Sequence, residues 1–166
     1  MKKIVIAAIA LLFAVNSAEA YSTFAHQTIA ALADRYLNDN AKREVKTILK
    51  SDMVKASTWL NTLRKNPEYA ATKEWHYTTL NAEGKSTTMD ENDGIVVLEK
   101  AIAVLRNRGN EKDSLVQASL RTVIHLVADL HCLSHIRIEG IEATKGFTYT
   151  AVFNTLFKEI YAFYVF

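Results

Sequence analysis

Residues 114–135 read SLVQASLRTVIHLVADLHCLSH, and this stretch decides the architecture that the sequence predicts. Its apolar residues lie on most faces of a helix that runs from Ser114 to about Cys132. Within it, His125 and Asp129 are four residues apart, so they lie about 40° apart on one helix face. Imidazole and carboxylate are good Zn²⁺ ligands, and this spacing lets both reach one ion. The alternative is an ordinary His–Asp pair on a solvated helix face.

The segments on the N-terminal side of this helix also show helical spacing of apolar residues. A polar loop is expected at 81–93, and an extended piece rich in β-forming residues precedes it at Trp75–Leu80 (WHYTTL). We find no internal repeat and no domain linker, and the predicted fold class is mostly α. The further helices are predicted at Gln27–Leu37, Ala41–Leu49, Val54–Arg64 and Ile95–Arg106.

The composition is that of one globular domain. The chain has 166 residues, 49% of them hydrophobic and 23% charged, with one proline and one cysteine. These values exclude a disordered chain, a collagen-like chain and a disulfide-stapled miniprotein. A net charge of +2 gives no overall attraction to nucleic acid or membrane, so any contact with a polyanion must be local.

The N-terminus has the pattern of an export signal. A basic start at Met1–Lys3 is followed by an apolar run to Val15 and by the cleavage pattern Ala18-Glu19-Ala20. The run is too short for a spanning helix, although a membrane anchor is the alternative reading. We therefore predict a signal peptide at 1–20 and a secreted or periplasmic protein that begins at Tyr21.

Two more histidines extend the candidate metal site. His26 lies five residues after the predicted new N-terminus, where a freed α-amino group and its carbonyl could chelate a metal. His76 lies between Trp75 and Tyr77, aromatic residues that could shield a site or stack on a base. A single histidine is more often structural, but together these residues favour a metal site.

With these motifs the sequence resembles the zinc-dependent single-strand nucleases typified by nuclease S-one and nuclease P-one. Those enzymes are related in fold to the bacterial zinc phospholipases C. The resemblance runs from Tyr21 to about His135 and rests on four motifs in order. They are Tyr21 with His26, the W-x-[DN]-x-x-R pattern of Trp59, Asn61 and Arg64, the WHY of Trp75–Tyr77, and the H-x-x-x-D-x-H-x-x-x-H of His125, Asp129, His131 and His135.

The resemblance implies a helical phospholipase C/nuclease-like fold with three zinc ions. One zinc would be held by Asn61, His76, His125 and Asp129. A second would be held by His26, Asp129 and the amine and carbonyl of Tyr21, so that Asp129 bridges the two ions. The remaining zinc would use His135.

The resemblance also implies a reaction. The family cleaves phosphodiesters of single-stranded RNA and DNA to give 5′-phosphates, and removes 3′-phosphate from nucleotides, by metal-activated water. Asp129 and Arg64 would be the catalytic residues, with Arg64 neutralising charge on the phosphoryl group. Tyr77 would stack on a base. The expected partners are single-stranded RNA or DNA or 3′-nucleotides, with no membrane after signal cleavage and no evident protein partner.

The sequence departs from the family pattern at several positions. The usual N-terminal Trp is Tyr21, the usual ligand Asp is Asn61, and Cys132 stands in a segment where the family has a proline. The expected domain is therefore the N-terminal part of a nuclease, residues 21–135. Residues 136–166 carry neither the His nor the Asp that would complete the zinc of His135. This divergent tail is interpreted as a premature end or a frameshift, with a genuine C-terminal helix or strand as the alternative.

Several functions stay open on the sequence alone. The first is an exported zinc endonuclease, and the second is a truncated, inactive zinc-binding relic of the same family. A small exported helical binding protein with incidental histidines is the third. A zinc phospholipase C-like esterase shares the metal scaffold, but the WHY motif and the spacing of Arg64 favour nucleic acid.

Overall fold

A computed structural model describes residues 23–63, 65–86 and 90–140, and it confirms the mostly α class. The described part of helix α1 covers residues 23–36. The elements that follow are α2 (Asp39–Leu49), α3 (Met53–Ala56), α4 (Trp59–Leu63), a 3-10 segment (Pro67–His76), β1 (Thr78–Leu80), α5 (Gly94–Arg106), a 3-10 turn (Arg108–Asn110), α6 (Asp113–Leu130), a second 3-10 turn (Leu133–His135) and β2 (Ile136–Ile138).

Helix α6 is the element on which most others pack. It contacts α5 most extensively, and also α2, α3, α4 and the 3-10 segment before β1. The core cluster joins three buried side chains from three helices, Leu60, Val97 and Leu126. A helix that is apolar on most faces needs such neighbours on several sides, which explains its central place.

Polar side chains cap the helix starts. Asn38 Oδ1 accepts a hydrogen bond from the backbone N–H of Ala41 at 2.9 Å at the start of α2. Asp52 accepts from the N–H of Lys55 at 2.7 Å at the start of α3. These bonds satisfy N–H groups that have no partner inside a helix. The sequence predicts a helix at Ala41–Leu49, and the observed helix begins two residues earlier, at Asp39.

The predicted helix Val54–Arg64 is wrong as a continuous element, because it is broken between Ala56 and Trp59. Ser57 lies at the break and is buried. Its hydroxyl donates to the carbonyl of Val54, and its own carbonyl accepts a hydrogen bond from the side chain of His125. That carbonyl is therefore engaged by a distant side chain where a continuous helix would use it internally.

The extended prediction for Trp75–Leu80 is wrong at its first two residues. Trp75 and His76 end the 3-10 segment Pro67–His76, and the strand is Thr78–Leu80. This strand pairs in parallel with β2, with Thr78 opposite Ile136. This pairing could not be predicted from the local sequence, because the partner strand lies more than 50 residues further along the chain.

Several predictions lie outside the described residues. They are the signal peptide at 1–20, Tyr21, Arg64 and the tail from residue 141. Residues 136–140, assigned to that tail, contain β2. No helix in the described ranges is both long and apolar enough to cross a membrane.

Candidate metal centre

The centre is built on the inner face of helix α6. His125 and Asp129 both lie there, with 0% and 2% of their surface exposed. His125 Nε2 is 3.1 Å from Asp129 Oδ2, as their four-residue spacing predicts. The other imidazole nitrogen, Nδ1, donates to the carbonyl of Ser57 at 2.6 Å. This bond fixes the ring and directs Nε2 toward the carboxylate.

His76 enters from the end of the 3-10 segment. Its Nδ1 lies 2.7 Å from Asp129 Oδ2 and 3.1 Å from His125 Nε2. Its side chain is 1% exposed. The WHY motif therefore places its histidine in the same buried group as the histidine and aspartate of α6.

His26 enters from helix α1. Its Nε2 lies 3.1 Å from Asp129 Oδ1, the carboxylate oxygen that His76 does not contact. Its ring stacks on that of His125, with centroids 3.9 Å apart and planes 19° apart. Three imidazoles thus surround one buried carboxylate, and they come from three separate parts of the chain.

His135 completes the group from the turn after α6. Its Nδ1 lies 3.6 Å from Asp129 Oδ1 and donates to the backbone carbonyl of His76 at 2.8 Å. Its ring stacks on Tyr77, with centroids 5.2 Å apart. The structure therefore places His135 beside Asp129 rather than away from it.

Two sets of donors in the described residues have the spacing of metal sites. One is His26, His125 and Asp129, and the other is His76, Asp129 and His135. Within each set, one donor atom from each residue lies within 4.8 Å of the others. Asp129 belongs to both sets. These sets pair the histidines differently from the family assignment, which joins His76 with His125.

The environment of these donors fits a bound cation. His26 Nδ1 and His76 Nε2 are buried without a hydrogen-bond partner in the described structure. Leaving a buried polar atom unpaired costs about 1–3 kcal/mol. In addition, His125 donates through Nδ1, so in neutral imidazole the lone pair of its Nε2 faces a carboxylate oxygen. A proton or a metal cation between the two would remove that conflict.

Asp129 carries the negative charge of the centre. Burial alone would raise the pKa of this carboxyl, but its close contacts with the imidazoles of His125, His26 and His76 outweigh burial and hold the pKa well below its usual range. The carboxylate is therefore ionised over the physiological pH range. An ionised carboxylate ringed by imidazoles is a donor set typical of zinc and similar divalent metals.

Asp93 supports the centre, although it lies at the end of the predicted loop 81–93. Its Oδ1 accepts from the Thr78 hydroxyl and from the N–H of Ile95, each at 2.9 Å, and its Oδ2 accepts from the N–H of Thr79 at 3.1 Å. It thus joins the start of α5 to the strand that begins two residues after His76. An Asp-Gly pair before a periodic apolar run is a helix-start signal that could have identified it.

A polar rim lies beside His135. Tyr77 is half-buried, and the guanidinium of Arg137 lies over its ring, 4.5 Å from the centroid. Arg137 is also paired with Glu74 at 3.1 Å. Arg137 was not identified from the sequence, because an isolated arginine carries no motif of its own.

The remaining predicted site residues are not brought to the centre by a described contact. Asn61 is half-buried on α4, and its side chain makes no hydrogen bond to another described residue. Tyr21 and Arg64 lie outside the described residues. His131, part of the motif but not a predicted ligand, bonds through Nδ1 to the carbonyl of Val127.

Comparison with known proteins agrees with this geometry. A family model described as S1/P1 Nuclease matches residues 21–142, which is more than half of the chain. The match includes all four motifs and every residue of the centre. No curated protein matches the sequence significantly.

Proposed function

Because the chain belongs to the S1/P1 nuclease family, whose members are metal-dependent nuclease-type hydrolases, we propose that it is an exported zinc-dependent endonuclease and 3′-nucleotidase. Its substrates would be the phosphodiesters of single-stranded RNA and DNA, cleaved to 5′-phosphates. The observation that carries this proposal is one buried carboxylate, Asp129, in contact with four histidines.

The donor set supports zinc in particular. Imidazole nitrogen and carboxylate oxygen are both common zinc ligands, and no thiolate is needed. We assign Asp129 as the shared ligand, with His76 and His125 on one ion and His26 with the Tyr21 amine and carbonyl on the other. Asn61 is the proposed additional ligand of the first ion. Zinc bound here would supply an acidified water and neutralise charge at the phosphoryl group.

Two backbone carbonyls hold this arrangement in place. The Ser57 carbonyl fixes the ring of His125, and the His76 carbonyl accepts from His135. Partners of this kind orient metal ligands and set which nitrogen is free to bind. Arg64 is proposed to neutralise charge on the phosphoryl group, and Tyr77 to contribute to binding of the nucleotide.

A second candidate is a zinc-binding member of the family without hydrolytic activity. It is favoured by Asn61, whose neutral amide is a weaker zinc donor than the aspartate of the family pattern. It is also favoured by His135, which lies 3.6 Å from Asp129 and so adds to the shared cluster. On this reading the centre is a structural metal site whose binding energy contributes to folding.

The decisive experiment combines metal content with hydrolysis. We expect at least one tightly bound zinc per chain by mass spectrometry of the purified protein. We also expect cleavage of single-stranded DNA and RNA that stops on adding EDTA and returns with zinc. Asp129→Ala should lose both properties, whereas Asp113→Ala, at the exposed start of the same helix, should keep both.

The outcomes separate the candidates. Bound zinc without cleavage supports the non-enzymatic member, and a protein that binds no zinc contradicts both. Hydrolysis of a phospholipid but not of nucleic acid would replace the nuclease with an esterase of the phospholipase C type. Export has its own measurement: the secreted protein should begin at Tyr21, and intact Met1 would contradict cleavage.

A further inference from the structure

A line of stacked side chains leads from the metal centre to solvent. His135, beside Asp129, stacks on Tyr77 with ring planes 15° apart, and the guanidinium of Arg137 lies over the ring of Tyr77. Arg137 and Glu74, its ion-pair partner, are each more than half exposed. The line therefore begins beside the buried carboxylate of Asp129 and ends at the exposed guanidinium of Arg137.

The pairing of the two strands creates this line. In the parallel register, Arg137 of β2 lies opposite Thr79, two residues after Tyr77. His135 immediately precedes β2, so His135 and Arg137 are both delivered to Tyr77 by the same short segment. Their position is fixed by backbone pairing rather than by the side chains alone.

Arg137 is held in a conformation suited to an anion. The guanidinium lies 4.5 Å from the centroid of the Tyr77 ring, and the pair with Glu74 uses one of its terminal nitrogens, at 3.1 Å. A guanidinium has five N–H donors in a rigid fork, so donors remain for a phosphate. Because these contacts already restrict Arg137, its side chain has less conformational entropy to lose when it binds an anion.

We propose that Arg137 is a binding site for the single strand, where its guanidinium contacts a backbone phosphate of a nucleotide adjacent to the one cleaved. This site rests on the proposed function and deepens it. Tyr77 then acts mainly as the support that holds the guanidinium, since its ring already contacts both His135 and Arg137. With a net charge of only +2, the chain needs such a local contact to hold a polyanion.

Glu74 distinguishes a binding role of Arg137 from a purely structural ion pair, because the two residues should affect binding of the strand in opposite directions. A phosphate at Arg137 lies near the Glu74 carboxylate, which repels it and competes for the same donors. Removing Glu74 should therefore strengthen binding of the strand, whereas removing Arg137 should weaken it. If the pair served only to stabilise the fold, both changes would act in the same direction.

The experiment is a binding titration with the zinc-loaded protein. The probe is a fluorescein-labelled oligothymidylate with a phosphorothioate backbone, which slows hydrolysis, and the readout is fluorescence anisotropy over a range of salt. We expect Arg137→Ala to weaken binding by about three- to fivefold and to reduce the salt slope by about one. Glu74→Gln should tighten binding.

Arg121→Ala is the matched control, because Arg121 also lies over an aromatic ring, that of Trp59 at 5.4 Å, outside this line. It should bind as the wild type does. The proposal is overturned if Arg137→Ala binds like the wild type, if both Arg137→Ala and Glu74→Gln weaken binding, or if the oligomer does not bind. Binding that depends on Arg137 without hydrolysis would support this site and contradict the proposed enzyme, so the two can fail separately.

Discussion

Replacing Asp93 by alanine tests how much its hydrogen bonds to the segment after His76 contribute to stability. Asp93 is 8% exposed, and its carboxylate accepts three hydrogen bonds, from the Thr78 hydroxyl and from the backbone N–H groups of Thr79 and Ile95. Asp93→Ala removes all three hydrogen bonds at once. It leaves the chain length, the core and the metal ligands unchanged.

The expected loss of stability can be estimated from the environment of each donor once the Asp93 carboxylate is removed. Ile95 loses the cap of helix α5, which costs about 1 kcal/mol. The hydroxyl of Thr78, whose residue is 1% exposed, becomes a buried donor without its acceptor, which costs about 1–3 kcal/mol. The N–H of Thr79 is only partly buried, so water replaces much of its bond. We expect the free energy of unfolding to fall by about 3 kcal/mol.

The measurement is urea unfolding in EDTA, so that metal binding does not contribute. Asn38→Ala is the control, because it removes an exposed cap with a single hydrogen bond and should cost about 1 kcal/mol. In a separate titration, Asp93→Ala should bind zinc more weakly than Asn38→Ala, since the strand it releases follows His76. Equal losses of stability in the two variants would refute the idea that Asp93 is a buried support.

Two further predictions concern the same supports and the helix caps. Gly94→Ala should lower the free energy of unfolding by about 1–3 kcal/mol, because a Cβ there would lie 2.6 Å from the carbonyl oxygen of Trp75. The control is Gly109→Ala, where a Cβ would meet nothing within 4 Å, and it should change the free energy of unfolding by less than about 0.5 kcal/mol in the same assay. The backbone N–H of Lys55 holds the pKa of Asp52 below its usual value, so the stability this carboxylate contributes is present above about pH 4 and lost as the pH falls. Asp52→Asn should therefore be less stable than the wild type at neutral pH, and the difference should shrink as the pH falls below about 4. A difference that does not change with pH would contradict this.

The sequence predicted those parts of the centre that are local in the chain. His125 and Asp129 share a helix, so their spacing alone placed them together, and the apolar residues around them indicated burial. The contacts of His26, His76 and His135 with Asp129 depend on how separate segments pack, which periodicity does not encode. The resemblance to a nuclease family assigned His26 and His76 to zinc ions that share Asp129, and His135 to a third ion.

The local errors have a common physical origin in tertiary contacts. The helix predicted at 54–64 is interrupted at Ser57, whose carbonyl binds the side chain of a residue 68 positions away. The β-forming composition around His76 predicted an extended segment, but His76 ends a 3-10 turn that directs its ring inward. At both places the backbone departs from its local preference where it meets the candidate metal centre, as is expected for functional sites.

Helix α1 connects the centre to the stability of the fold. Among its described residues, only His26 and Ala30 are buried, and three large apolar side chains are more than half exposed: Phe24, Leu32 and Tyr36. Besides its stacking on His125, His26 attaches α1 to α6 through its contact with Asp129. An ion shared by these two side chains would replace a hydrogen bond by two coordination bonds, and its binding energy would be added to folding. Metal at this site would then fix the helix that carries one of its own ligands, so that assembly of the centre and of the fold would occur together.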